Sequence, residues 1–286
     1  MNRQNIAPIG ALAITALVGT AHAGQAFGVT QDQTLISWNP ATPNILQSGV
    51  AISGLASNEQ IRGIDFRPAD GGLYALGSFN NLYRLDTTSG SASLVGSGGF
   101  MPALNGSSFG FDFNPVIDRI RTVSDADQNL VLNPNDGTST GVTDLFYAAG
   151  DINAGMNPNI VGSAYTNSVA NAAFTQLYGI DAGLDVLVRQ ANSAGTLETV
   201  GSLGVDVTDI LGFDISGVSG VAFATVQNDD LGSSSFWTID LNTGEASFIG
   251  EIAGGSLVSS FAVIPAPAGA GVLALGGVAV ARRRRA

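Results

Sequence analysis

The sequence predicts an all-β protein, a five-bladed β-propeller of four-stranded antiparallel blades, on three observations. A unit of four short apolar runs recurs, with its first run spaced by 47, 52, 50 and 48 residues. One unit lacks its first run at the start of the chain, and a lone first run appears at the end. No long stretch of residues 24–264 carries a helical period.

In chain order the first element is a targeting segment, 1–23. Arg3 supplies a positive n-region, Ile6 to Thr20 an uncharged apolar h-region, and Ala21-His22-Ala23 an A-x-A site that leaves Gly24 as the mature N-terminus. A buried N-terminal helix is the alternative, and the small-residue exit argues against it.

The propeller domain, 24–264, follows. Phe27 to Val50 holds three runs, Gly28-Val29, Leu35 to Trp38 and Ile45-Leu46, without a first. Complete units then begin at Gly63-Ile64-Asp65-Phe66, Gly110-Phe111-Asp112-Phe113, Gly162-Ser163-Ala164-Tyr165 and Gly212-Phe213-Asp214-Ile215. Within each, a second run such as Leu73 to Leu76 precedes a third such as Leu82 to Asp86, which ends in a turn with Gly90. A fourth run such as Ser93 to Gly96 closes the unit. Short β-branched and aromatic runs parted by Gly, Asn, Asp and Pro are strands of antiparallel sheets. Ser260 to Val263 then supplies the missing first run, so one blade is split between the ends and its closure removes free sheet edges. A β-sandwich uses similar strands but gives no reason for the displaced run.

The last element, 265–286, is a tail: Pro265-Ala266-Pro267, an apolar run from Ala268 to Ala281, then Arg282, Arg283, Arg284 and Arg285. Fourteen helical residues reach roughly 21 Å, short of a hydrocarbon core of about 30 Å. The arginines favour the cytoplasmic side, so the tail is expected to pause in the inner membrane as a transient transmembrane helix. It resembles the PEP-CTERM class of bacterial sorting signals, although Ala266 stands where that class carries Glu. The resemblance implies handling by an exosortase-type membrane protease after the export machinery has acted, and a place at the cell surface or in an extracellular polysaccharide matrix.

Composition narrows the chemistry. All 23 acidic residues and six of the eleven basic residues fall in 24–264, a net charge of −17 there, with no lysine. Such a body repels nucleic acid and anionic lipid and attracts cations. Cysteine is absent, and the single histidine is His22 in the targeting segment. The mature chain therefore has no Ser-His-Asp triad, thiol nucleophile, lysine Schiff base or histidine metal ligand.

Gly110 to Pro115, Asp118-Arg119-Ile120-Arg121, Gln128 to Pro134, Leu177 to Asp181 and Gly212 to Ile215 together resemble the bacterial domain-of-unknown-function family four-three-nine-four, over about residues 28–264. The resemblance implies a propeller-like exported domain and transfers no activity or catalytic residue.

Three candidate sites stand out. Asp65, Asp112 and Asp214 share one repeat position on the first run of three units, where a propeller lines its channel. Three converging carboxylates could hold a cation, or two could act as acid and base on a sugar bond. The alternative is a repeated structural role, each Asp accepting hydrogen bonds from a neighbouring turn, and Ala164 and Ala262 break the ring. Asp125, Asp127 and Asn129 have D-x-D-x-N spacing suited to Ca²⁺, the one cofactor suggested. Leu130 and Asp136 depart from the full calcium-loop pattern, which favours a polar loop. Arg119 and Arg121 lie two apart on one strand face, placed to grip a carboxylate or sulfate, or to pair with nearby Asp.

The expected function is a non-enzymatic binding or structural module, exported and sorted through its tail. A glycan-active hydrolase or lyase using channel carboxylates is the alternative. Against it, the four glutamates fall outside the repeated channel position, and Trp38 and Trp237 occupy equivalent third-run positions suited to packing.

Overall fold

The computed structural model describes residues 24–228 and 232–264. Ala23, Pro265, Pro267 and Arg282 to Arg285, with the rest of the targeting segment and the tail, lie outside the described residues.

The predicted five blades are present. In the first, β1 (Ala26–Thr30), β2 (Thr34–Asn39) and β3 (Thr42–Ala51) follow one another outward. The second holds β4 (Ile61–Phe66), β5 (Leu73–Gly77), β6 (Asn81–Leu85) and β7 (Ala92–Leu94). The third holds β8 (Phe109–Asn114), β9 (Arg119–Ser124), β10 (Asn129–Leu132) and β11 (Ser139–Gly141). In the fourth, β12 (Phe146–Tyr147) precedes β13 (Ile160–Tyr165), β14 (Leu177–Asp181), β15 (Val186–Gln190) and β16 (Thr196–Ser202). The fifth holds β17 (Leu211–Ile215), β18 (Ala222–Asn228), β19 (Ser233–Ile239) and β20 (Ala246–Glu251).

Last in sequence, β21 (Val258–Val263) returns to pair antiparallel with β1, Phe27 opposite Ala262, and becomes the innermost strand of the first blade. The displaced run thus closes the ring. One feature departs from the sequence reading: β12 adds a fifth strand, parallel to the outer edge of β16, with Phe146 opposite Thr196. A pair only two residues long leaves no alternation to read. Among the described residues there is no α-helix, only two 3₁₀ turns, and no helix long and apolar enough to cross a membrane.

Hairpins close on the predicted polar turns. Asp86 accepts hydrogen bonds from the amides of Thr88 and Ser89, and Gly90 takes φ of 72°, where a side chain would be strained. The apolar faces of the sheets then meet between blades. One core cluster joins Phe27 and Val29 of the first blade to Ile64 and Leu73 of the second. Another joins Leu82 of the second to Phe113 and Ile120 of the third, and a third joins Phe236 of the fifth to Trp38 of the first. Because the core is shared across blade boundaries, no blade can bury its faces alone.

The innermost strands β21, β4, β8, β13 and β17 touch in that order around the axis. Their close approach explains the repeated glycine. A Cβ on Gly63 would lie 2.5 Å from the Cβ of Phe111 on the next blade, and one on Gly110 would lie 2.6 Å from the amide nitrogen of Ser163. Ser260 replaces glycine at the fifth position, and there the hydroxyl accepts the amide of Ile64 at 2.9 Å.

Candidate functional site

An innermost strand has a sheet partner on one side only, so backbone amides on its axial side must find other acceptors. At one level of this channel the five amides are those of Phe66, Phe113, Tyr165, Ile215 and Val263. Each sits immediately after the repeat position that holds Asp65, Asp112, Ala164, Asp214 or Ala262.

Three carboxylates serve all five amides. Asp65 accepts the amide of Phe113 on the next blade at 2.7 Å and that of its own neighbour Phe66 at 2.6 Å. Asp112 reaches Tyr165 on the following blade at 3.0 Å. Asp214 reaches Val263 on the closing strand and its own neighbour Ile215, both at 2.6 Å. The two carboxylates that bond their own neighbours are those whose preceding blade carries alanine. Ala164 has no oxygen for Ile215, and Ala262 has none for Phe66. Five of the six carboxylate oxygens are thereby engaged, and only Oδ2 of Asp112 accepts no hydrogen bond among the described residues.

The three residues are 2–4% exposed, and one oxygen from each lies within 4.8 Å of the others. Burial disfavours their charged forms, and their mutual repulsion adds to it. Burial pushes Asp65 well above the usual carboxylate range, with Asp214 adding to the rise and the amides of Phe113 and Phe66 opposing it. Asp112 is raised by burial and then by Asp65 and Asp214, against a single amide. Asp214, held by two amides, is pushed up to about 6 by burial. Among the described residues this is the acidic set whose geometry suits a cation. All of these oxygens except Oδ2 of Asp112 already accept amide protons, so the set acts as a hub of backbone hydrogen bonds. The donors are amides of the inner strands themselves, where the sequence suggested turns.

Asp125, Asp127 and Asn129 do not present one set of free oxygens. Both carboxylate oxygens of Asp125 hold the amide of Ser107, at 2.9 and 3.2 Å, and its Oδ2 also accepts the Ser107 hydroxyl at 2.6 Å. The side-chain oxygen of Asn129 accepts from Arg121 at 2.7 Å, and its amide group donates to the carbonyls of Thr143 and Asn192. Asp127 sits in a left-handed turn with Oδ1 buried and unpartnered, its carboxyl raised by burial and by Asp144 and Asp181.

Arg121 is opposite Asp112 across the β8–β9 pair but makes no ion pair with it. Arg121 is 3% exposed and its guanidinium donates to Asn129, Tyr165 and Ser193, so it is not available to a ligand. Arg119 donates to the carbonyl of Asp118. The carboxylate of Asp118 instead takes a two-pronged grip from Arg67, which also reaches Asp70. Trp38 is fully buried against Phe236 and Phe261, and Trp237 packs on Phe248.

The model of the family described as "Domain of unknown function (DUF4394)" matches residues 34–262. The chain belongs to that family. No curated protein sequence matches it. Among solved structures, a chain of a nidogen–laminin complex is similar over 85% of this chain and 98% of its own, at 12% identity and a TM-score of 0.51, which shows the fold alone. A chain of the hydrazine synthase of Kuenenia stuttgartiensis is similar over 72% of this chain and 51% of its own, at 10% identity and a TM-score of 0.41, too low to add to it.

Proposed function

We propose that this DUF4394 member is an exported cell-surface or matrix β-propeller, a non-enzymatic binding or structural module sorted through its C-terminal tail. The observation that carries the non-enzymatic part is the occupancy of Asp65, Asp112 and Asp214. A glycosidase needs one carboxyl to protonate the leaving group and a second to attack or activate water. Here a single oxygen remains free, and the other five are directed at backbone amides of 2.6–3.0 Å length. Residues 24–264 hold no histidine, cysteine or lysine, which removes the common nucleophiles and bases other than carboxylates.

Export rests on the h-region ending at Ala23, with Gly24 as the first mature residue. Sorting by an exosortase-type protease rests on Pro265, Pro267 and the Arg282–Arg285 cluster. Extracellular polysaccharide is the partner implied by that tail class. Incubation with a glycan panel, with and without EDTA, should show retention on polysaccharide without new reducing ends or unsaturated products. Turnover that disappears in Asp112→Asn would replace this proposal with the hydrolase or lyase. Pulse-chase fractionation should show a membrane-bound precursor that shortens near Pro265, and uncleaved release once the four arginines are replaced by Ser.

A further inference from the structure

Opposite the end marked by the aspartates, the channel opens into a cavity of about 260 Å³ to which all five blades contribute. Behind it the axis narrows to a gap of about 10 Å³, room for about one water, so the cavity is blind. Its size lies below the roughly 300–1,000 Å³ of pockets for drug-sized ligands and suits one small molecule or one terminal unit of a chain.

The lining has an apolar floor and a polar rim. Phe109 and Leu211 are buried at the floor, and Arg62, Gln60 and Asp209 are exposed on the rim. Among the described residues Arg62 forms no salt bridge and donates no hydrogen bond, which leaves its planar fork open to a bidentate anion. Gln33 is held in place because its side-chain oxygen accepts the amide of Ile61 at 2.6 Å, so its NH₂ group faces outward as a donor. Asp209 accepts from Asn159 at 2.8 Å through Oδ1, leaving Oδ2 as an acceptor for a hydroxyl.

We propose that this mouth binds a hexuronic acid, a sugar ring bearing one carboxylate, with the carboxylate on Arg62. The inference rests on the binding-module proposal and deepens it. Ring hydroxyls would meet donors at Gln33 and Gln60 and the acceptor at Asp209, and the C–H face of the ring would lie on Phe109. Asp209 on the rim opposes a dianion such as phosphate, whereas a monoanion needs only the one guanidinium. At physiological salt the Debye length is about 8 Å, so the local charges decide over the acidic body.

The test is calorimetric titration of the purified protein with galacturonate, methyl galacturonate, galactose and inorganic phosphate, repeated on Arg62→Gln. Because Arg62 is exposed and unpaired, the variant should unfold at the wild-type temperature. Galacturonate should bind, with the ester and the variant each weaker by about tenfold or more. A trigalacturonate should bind about as well as the monomer, since the cavity holds one ring. Acid and ester of equal affinity, an unchanged Arg62→Gln affinity, or phosphate binding as tightly as galacturonate would each overturn the uronate assignment. Binding of neutral sugars with no preference for the acid refutes the role of Arg62 and leaves a binding module. Failure of the whole glycan panel refutes the module itself.

Discussion

Asp65 crosses a blade boundary to accept the backbone amide of Phe113 at 2.7 Å, while its other oxygen holds the amide of Phe66. The same carboxylate therefore ties the second blade to the third and satisfies an amide that Ala262 on the first blade cannot. Asp214 does the same between the fifth blade and the closing strand. Asp112 has only one such duty.

That difference predicts a split among isosteric variants. Asparagine keeps one acceptor oxygen and replaces the other with a donor. Asp65→Asn and Asp214→Asn should each cost about 1–3 kcal/mol, because an NH₂ group then faces a buried amide N–H. Asp112→Asn should cost less than about 0.5 kcal/mol, since one oxygen is enough for Tyr165. Urea denaturation of the three variants decides it, and equal losses at all three positions would refute the accounting.

Stability should also fall from mildly acidic to mildly alkaline pH. A carboxyl raised in the folded state stabilises below its unfolded value, and that contribution is lost as pH rises through the folded value. Asp214 crosses at about 6, and Asp65 and Asp112 are raised as well. The urea midpoint should therefore be higher at pH 5 than at pH 8, with a shallower slope in Asp112→Asn. Below about pH 4 the trend reverses, because Asp86 and Asp136 are lowered by hydrogen bonds from Ser89 and Thr138 and lose those contributions when protonated. A midpoint that climbs from pH 5 to pH 8 would contradict the raised values.

Deleting residues 257–264 should cause aggregation. It removes β21, exposes the edge of β1 and strands the oxygen of Asp214 that holds Val263. Removing 265–286 should leave the unfolding temperature unchanged. Size-exclusion chromatography and thermal melts compare the two, and a monomeric, unaltered 257–264 deletion would exclude ring closure by the terminal strand.

Calcium should bind no tighter than about 10⁻⁴ M, the range of weak extracellular modules. The oxygens of Asp125 are held by Ser107 and that of Asn129 by Arg121. A sub-micromolar site in a calcium titration, lost in Asp127→Ala, would show that these contacts yield to the ion.

Sequence alone determined the repeat, the blade number and the split first blade. Close packing around an axis demands glycine, and unpaired inner amides demand an acceptor, so Gly63, Asp65 and their counterparts recur at one period. Which of those carboxylates would be full and which free was not legible, because it depends on whether the preceding blade carries Asp or Ala once the ring has closed. Nor did spacing show that Arg121 would be buried under Tyr165 while Arg119 turned aside to a carbonyl. Arg62, Gln33 and Asp209 share no motif. They come from a first strand, a hairpin turn and a loop far apart in the chain, and only the closed ring of five blades brings them to one cavity.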